Sequence, residues 1–319
     1  MVPMDPSVPP PPPAAAEPTG PVACKRHPNT QTMLRCVRCG DPICPECMRP
    51  AAVGYQCPDD AKGSRQEYLR PARNIGASAA GATVTKALLL VLVIVYAIEV
   101  AQAGAGSLLA GPTIPVLIRL GAIVPALIAD GEYWRLFTGM FLHASLLHIA
   151  LNGYALYIVG TVVESELGRW RFLALYLVTG LFGSAAVYMF SGIFEPTIGA
   201  SGAIFGLFGV FAAYNFRRRD NAFYAARLRS MLTVIVINLL FTFFVPGISK
   251  AGHIGGLVCG LLLGLAIDGI GRRTSRAIAF WSAIAVAIAL TVAIVVIRTP
   301  QIPPNAGEHL RAALRELSA

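Results

Sequence analysis

Two residues carry the chemistry this chain can be built around: Ser201, in Gly199-Ala200-Ser201-Gly202, and His253, in Gly252-His253-Ile254-Gly255-Gly256. A serine hydroxyl is a weak nucleophile until a base within hydrogen-bond reach takes its proton, so the two acquire meaning as a pair. Small residues suggest how they meet. Gly202 and Gly206 are four apart after the serine, and Gly252, Gly256, Gly260 and Gly264 form a ridge along one face after the histidine. Such ridges let apolar helices approach to backbone contact, although they are also ordinary packing, and a serine at a helix start is often only an N-cap. His148 and Asn152, at i and i+4, share one helix face. They form either a core hydrogen-bond pair or, with the Ser201 backbone N–H, donors to an oxygen that turns negative when the serine attacks a carbonyl. His143 lies off that face and is read as structural.

A second kind of chemistry sits near the N-terminus. Six of the seven cysteines fall between Cys24 and Cys57, in the order Cys24-x2-His27, Cys36-x2-Cys39, Cys44-x2-Cys47 and Cys57-x2-Asp60. Each spacing lets a tight knuckle present two donors to one tetrahedral ion, so eight donors imply two zinc ions. Alternate pairing puts Cys24, His27, Cys44 and Cys47 on one ion and Cys36, Cys39, Cys57 and Asp60 on the other. Asp59 can replace Asp60 in the last pair. Disulfides are the competing reading and require an oxidising compartment. Lys25, Arg26, Arg35 and Arg38 make the segment basic, but modules of this kind bind proteins at least as often as nucleic acid.

What must position Ser201 and His253 is a membrane. Of 319 residues 55% are hydrophobic and only 13% charged, with a mean hydropathy of +0.62, far from a soluble composition. Seven apolar runs approach the roughly 20 residues needed to cross hydrocarbon. They are Thr83 to Ala103, Ser145 to Val163, Phe172 to Phe190, Ala200 to Phe216, Ser230 to Val245, Gly252 to Asp268 and Ala277 to Ile297. Val116 to Ala129, broken by Arg119 and Pro125, reads as an interfacial or partly inserted part of the first loop. Arginine and lysine concentrate before the first span and after the second, fourth and sixth, which predicts a cytoplasmic N-terminus and an extracytoplasmic C-terminus. The same bias accounts for the net charge of +9 without nucleic acid and favours zinc over disulfides. Ser201, His253 and the His148/Asn152 face then all start from the outer side. No cleavable signal peptide is visible.

The cysteine-rich layout resembles a B-box-type zinc-binding domain. Trp134-Arg135, His143, His148, Asn152, Gly199-Ala-Ser201-Gly202 and Gly252-His253-Ile-Gly-Gly256, in this order on these spans, resemble the rhomboid family of intramembrane serine proteases. The likeness covers about residues 84 to 297 and implies an all-α, six-helix core with one helix added at the C-terminus. It implies a Ser201/His253 dyad without a carboxylate and no catalytic cofactor. It also implies an oxyanion site of His148, Asn152 and the Ser201 amide, with Trp134-Arg135 and Glu164 as scaffold. Two positions depart from the usual pattern: Phe205 stands where some relatives have Tyr, and Gly252 where Ala is usual. The expected organisation is a proline-rich tail (1–22), a zinc-binding module (23–60), a basic linker (61–82), a protease domain (83–298) and a C-terminal tail (299–319). Expected partners are transmembrane protein substrates, the lipid bilayer of the plasma membrane and a cytoplasmic protein recruited by the zinc module. A non-proteolytic membrane chaperone or receptor is the alternative; a transporter is weaker, since no buried acidic or lysine relay and no internal repeat is visible. Glu99 is expected to reach the interface, Cys259 to fill apolar space, and the tail from Thr299 carries no readable signal.

Overall fold

The computed structural model describes residues 20–51, 54–61, 81–104, 106–266 and 273–316, in two units, Met1–Asn74 and Ile75–Ala319. The proline-rich tail and the basic linker fall mostly outside the described residues.

In the first unit, β1 (Val22–Ala23) pairs antiparallel with β2 (Gln31–Thr32), and β3 (Arg49–Pro50) with β4 (Tyr55–Gln56). Its interior is sulfur rather than hydrocarbon: Cys24, Cys36, Cys44, Cys47 and Cys57 cluster around Ile43. A segment this short cannot bury enough apolar surface to hold itself together unaided.

The second unit is a helical bundle. Its main elements are α1 (Thr83–Ala103), α2 (Ile114–Leu120), α3 (Pro125–Ala129), α4 (Leu146–Leu167), α5 (Arg169–Phe190), α6 (Ser201–Phe216), α7 (Ala222–Phe244), α8 (Lys250–Ala266), α9 (Arg273–Arg298) and α10 (Ala306–Glu316). Among the described residues, five helices are long and apolar enough to cross a membrane: α1, α4, α5, α7 and the 277–301 stretch that begins inside α9. The apolar helices α6 and α8 are shorter, at 16 and 17 residues.

Several boundaries differ from those read in the sequence. Helix α4 runs past Val163 to Leu167, because Glu164 is an internal cap rather than a break. Its carboxylate accepts the backbone N–H groups of Val84 (2.9 Å) and Thr85 (2.7 Å) and the Thr85 hydroxyl (2.8 Å). These N–H groups belong to the first turn of α1, which has no side-chain cap of its own. Helix α7 starts at Ala222, before the apolar run does, and Arg227 pairs there with Glu166 of α4 (2.5 Å). The stretch Val116 to Ala129 is two short helices, with Pro115 and Pro125 in the first helical turns where a missing N–H costs nothing.

Helix α8 is wedged between α5 and α6. A Cβ on Gly256 would lie 1.9 Å from Gly202 O, one on Gly260 1.9 Å from Gly206 O, and one on Gly255 2.5 Å from the Ala186 side chain. The two glycine ridges therefore meet backbone to backbone, as small-residue ridges allow.

Residues 299–316 pack back onto the bundle. Ile302 and Ala306 are buried with Leu117, Ile118 and Leu127 of the first loop, and Tyr188 Oη lies 2.9 Å from Thr299 Oγ1. Helix α10 packs on α3, where Arg311 pairs with Asp130 and with Glu132 (2.7 Å).

Candidate active site

Ser201 is the first residue of α6. The approach to it is fixed by hydrogen bonds from the first loop. Ile123 and Thr197 form an isolated antiparallel bridge (2.9 Å in each direction), and Gly199 N–H donates to Gly139 O (2.8 Å). Gly199 has φ of 123°, and a Cβ there would lie 3.0 Å from His148 Nε2 and 3.7 Å from Ser201 Oγ, so glycine keeps the space in front of the serine open. The loop is held in turn by Arg135, which is buried. Its Nη1 donates to Ile118 O (2.6 Å) and Ala122 O (3.1 Å), and Glu132 neutralises it at 2.6 Å.

His253 stands on the first turn of α8, whose start is capped by Ser249 Oγ accepting the Gly252 N–H (3.2 Å). Its Nε2 lies 2.7 Å from Ser201 Oγ, and its ring stacks on Phe205 with centroids 4.2 Å apart and planes 17° from parallel. Its Nδ1 lies 2.7 Å from Thr242 Oγ1 on α7. The ridge contact brings the two backbones together, and the stacked Phe205 ring sets the plane of the imidazole.

His148 and Asn152 occupy one face of α4, with the His148 ring close to Gly199. Ala144 N–H donates to His148 Nδ1 (3.3 Å), which leaves the proton on Nε2, the nitrogen that faces Gly199. Asn152 is buried, and its Nδ2 donates to His148 O (3.1 Å). An amide nitrogen carries two protons, so one remains for another acceptor. Backbone N–H groups at a helix start have no intrahelical acceptor, which leaves the Ser201 N–H as a further donor at the head of α6. His143 is fully buried against His148, with ring centroids 5.0 Å apart. Glu99 does not reach the interface as expected; it is fully buried, and both carboxylate oxygens lie 3.2 Å from His143 N–H. That bond ties α1 to the segment leading into α4. Sequence reasoning also passed over Thr242, which nothing in the spacing connects to residue 253.

In the other unit, the ligand atoms of Cys24, His27, Cys44 and Cys47, and those of Cys36, Cys39, Cys57 and Asp60, each gather within 4.8 Å. Edges of 3.2 Å (His27 Nδ1 to Cys44 Sγ), 3.4 Å (His27 Nδ1 to Cys47 Sγ) and 3.9 Å (Cys24 to Cys47 Sγ) surround the first centre. At the second, Asp60 Oδ2 lies 3.1 Å from Cys36 Sγ and 3.3 Å from Cys57 Sγ, with 3.9 Å between Cys39 and Cys57 Sγ. A tetrahedral ion with arms of about 2.0 to 2.3 Å spans such edges. Asp59 is engaged elsewhere, with Arg26 at 2.8 Å, which assigns the carboxylate to Asp60. All the cysteines are free thiols. Burial raises the Cys24 thiol, but backbone donors at Cys44, Arg26 and His27 outweigh it and bring the group down to about 6. Burial and the neighbouring sulfurs of Cys24 and Cys44 push Cys47 up to about 11. Sulfurs crowded this way ionise together only around a cation, so the donor set fits a metal.

Comparison with known proteins places these features in context. The family model described as the Rhomboid domain matches residues 130–269. The chain is 42% identical over 151 residues to the rhomboid protease GluP of Bacillus subtilis (strain 168), covering 47% of this chain and 29% of that protein. It is 36% identical over 165 residues to RHOMBOID-like protein 5 of Arabidopsis thaliana, covering 50% and 52%. To YdcA, a rhomboid-type relative from Bacillus subtilis (strain 168), it is 33% identical over 136 residues, covering 43% of this chain and 68% of the relative. The chain thus spans about a third to two thirds of the length of these relatives, and the family-model match contains His148, Asn152, Ser201 and His253.

Proposed function

This chain belongs to the rhomboid family, and from that premise we propose that it is an intramembrane serine endopeptidase, hydrolysing peptide bonds of transmembrane proteins with Ser201 as nucleophile and His253 as base. The observation that carries this reading is the 2.7 Å contact between Ser201 Oγ and His253 Nε2 at the paired starts of two membrane helices. His253 takes the hydroxyl proton as Oγ bonds to the substrate carbonyl carbon, then delivers it to the leaving amine. Water, deprotonated by the same histidine, releases the acyl group. His148 Nε2–H, the free N–H of Asn152 and the Ser201 amide hold the oxyanion, donors whose worth is greatest where water is scarce.

The chain crosses the bilayer seven times in this reading, with α6 and α8 as short spans whose polar N-terminal ends sit below the surface. The positive-inside bias puts the N-terminus in the cytoplasm and Ser201 near the outer face of the plasma membrane, from which water enters. A substrate helix unwinds before cleavage, because a hydrogen-bonded helical carbonyl is closed to the serine; Gly or Pro near that face makes this easier. The domain boundaries at residues 23–60 and 83–298 are part of the proposal. The N-terminal module holds two structural zinc ions that cross-brace its knuckles, and it recruits a cytoplasmic protein.

The test is labelling of detergent-solubilised protein with a fluorophosphonate. Wild type is expected to react, with Ser201→Ala and His253→Ala folded and unlabelled. Folded wild type that stays unlabelled beside an active relative overturns the protease in favour of a binding protein. Cleavage of a transmembrane substrate that persists in Ser201→Ala does the same for the nucleophile.

A further inference from the structure

Helix α7 turns most of its surface outward; of its 23 residues only Ile235 and Thr242 are buried. Thr242 is fully buried, and its hydroxyl makes two contacts at 2.7 Å, one to Asn238 O and one to His253 Nδ1. The carbonyl can only accept, so it takes the hydroxyl's single proton. The threonine oxygen then offers a lone pair to Nδ1, and Nδ1 is the nitrogen that carries the imidazole proton. Nε2 is left as an acceptor facing Ser201 Oγ at 2.7 Å. The reversed tautomer would put N–H against the serine and could not take its proton.

We propose that Thr242 is the positioning residue of this site, a neutral third member that sets the tautomer of His253 and aims its free lone pair at Ser201. It occupies the place that a carboxylate fills in Ser-His-Asp triads. A hydroxyl supplies orientation there without burying a charge at membrane depth, where a carboxylate is expensive. Phe205 fixes the plane of the ring from one face, and Thr242 fixes its rotation within that plane. The assignment rests on the proteolytic reading, since a positioned base matters only if Ser201 is deprotonated. It also gives α7 a direct connection to the chemistry.

The experiment compares full-length wild type, Ser201→Ala, Thr242→Val and Thr242→Ser in detergent. It measures the rate of fluorophosphonate labelling and steady-state cleavage of a transmembrane model substrate. Valine keeps the branched shape and removes the oxygen. Thr242→Val is expected to lose on the order of 10-fold to 100-fold in labelling rate and kcat, with KM within about twofold, and Thr242→Ser to recover most of the loss. An effect on packing alone would not be rescued by serine, which deletes a methyl group. In wild type, nitrogen NMR of labelled histidine is expected to show His253 protonated at Nδ1, a readout that stands even if the valine variant misfolds. Thr242→Val equal to wild type, Thr242→Ser as slow as Thr242→Val, or His253 protonated at Nε2 in the resting protein each overturns the proposal while leaving the protease intact. Folded but unlabelled wild type overturns the protease itself, and with it the role of Thr242.

Discussion

At the scale of single residues, the site is a matter of which atom holds which proton. His148 is prepared as a donor by the Ala144 N–H on its Nδ1, and Asn152 has already committed one of its two protons to His148 O. Each therefore has one proton to offer a developing oxyanion. His148→Ala and Asn152→Ala are expected to lower kcat by about 10-fold to 1000-fold with little change in KM, as measured by steady-state cleavage. A comparable rise in KM instead would assign them to substrate binding. The metal ligands make a sharper prediction. Full-length protein is expected to carry about two zinc ions by mass spectrometry, Asp60→Ala about one, and Asp59→Ala still about two. Chemistry-bearing residues were legible in the sequence because their spacing is tied to elements: knuckles at two-residue intervals, helix faces at four. Thr242 was not, because a threonine within a membrane helix looks like Thr161, Thr179 or Thr291, whose hydroxyls also return to the carbonyl four residues earlier. Only the tertiary fold separates it from them. Glu99 was misjudged for a similar reason: an acid near a helix end reads as interfacial until a buried N–H is found waiting for it.

At the scale of elements, helix α8 has no room to move. With hypothetical Cβ atoms of Gly256 and Gly260 only 1.9 Å from backbone oxygens of α6, any side chain there forces the two helices apart. Gly256→Val is expected to cost at least about 3 kcal/mol, seen as a lower apparent Tm in detergent, and to abolish labelling because Ser201 and His253 separate with their helices. A Gly256→Val protein that labels at the wild-type rate would break the link between ridge packing and the dyad. Glu164 is the comparable point for α1: Glu164→Ala leaves two N–H groups, that of Thr85 buried and that of Val84 half-buried, and a buried hydroxyl without their acceptor, an expected loss of about 2 to 4 kcal/mol. The apolar runs showed where the helices are, since hydropathy reports burial in lipid. They did not show where helices stop, because Glu164 and Arg227 end a run of hydropathy without ending a helix; one is a cap acceptor and the other is paired with Glu166.

At the scale of the whole membrane unit, the first loop is a plate between the Ser201 approach and the C-terminal helix. Arg311 on α10 pairs with Asp130 and Glu132, Glu132 holds Arg135, Arg135 holds the carbonyls of residues 118 and 122, and Ile123 bridges to Thr197 ahead of the serine. Arg311→Ala alone removes partly exposed pairs and is expected to cost no more than about 1 kcal/mol. Shortening the chain after residue 301 also strips Ile302 and Ala306 from the loop core, and is expected to lower Tm and the labelling rate together. Unchanged labelling after that truncation would show that the loop holds its shape unaided. This docking was invisible in the sequence, where the tail from Thr299 carries few apolar residues and its first-loop partners lie more than 150 positions earlier in the chain. The same arrangement sets an order in time. Residues 302–314 are synthesised after the helices that carry Ser201 and His253, yet they form one wall of the loop that leads to Ser201. A nascent chain that has reached residue 299 therefore has the helices of Ser201 and His253 but not yet that wall, and the first loop gains its packing only once residues 302–314 have followed.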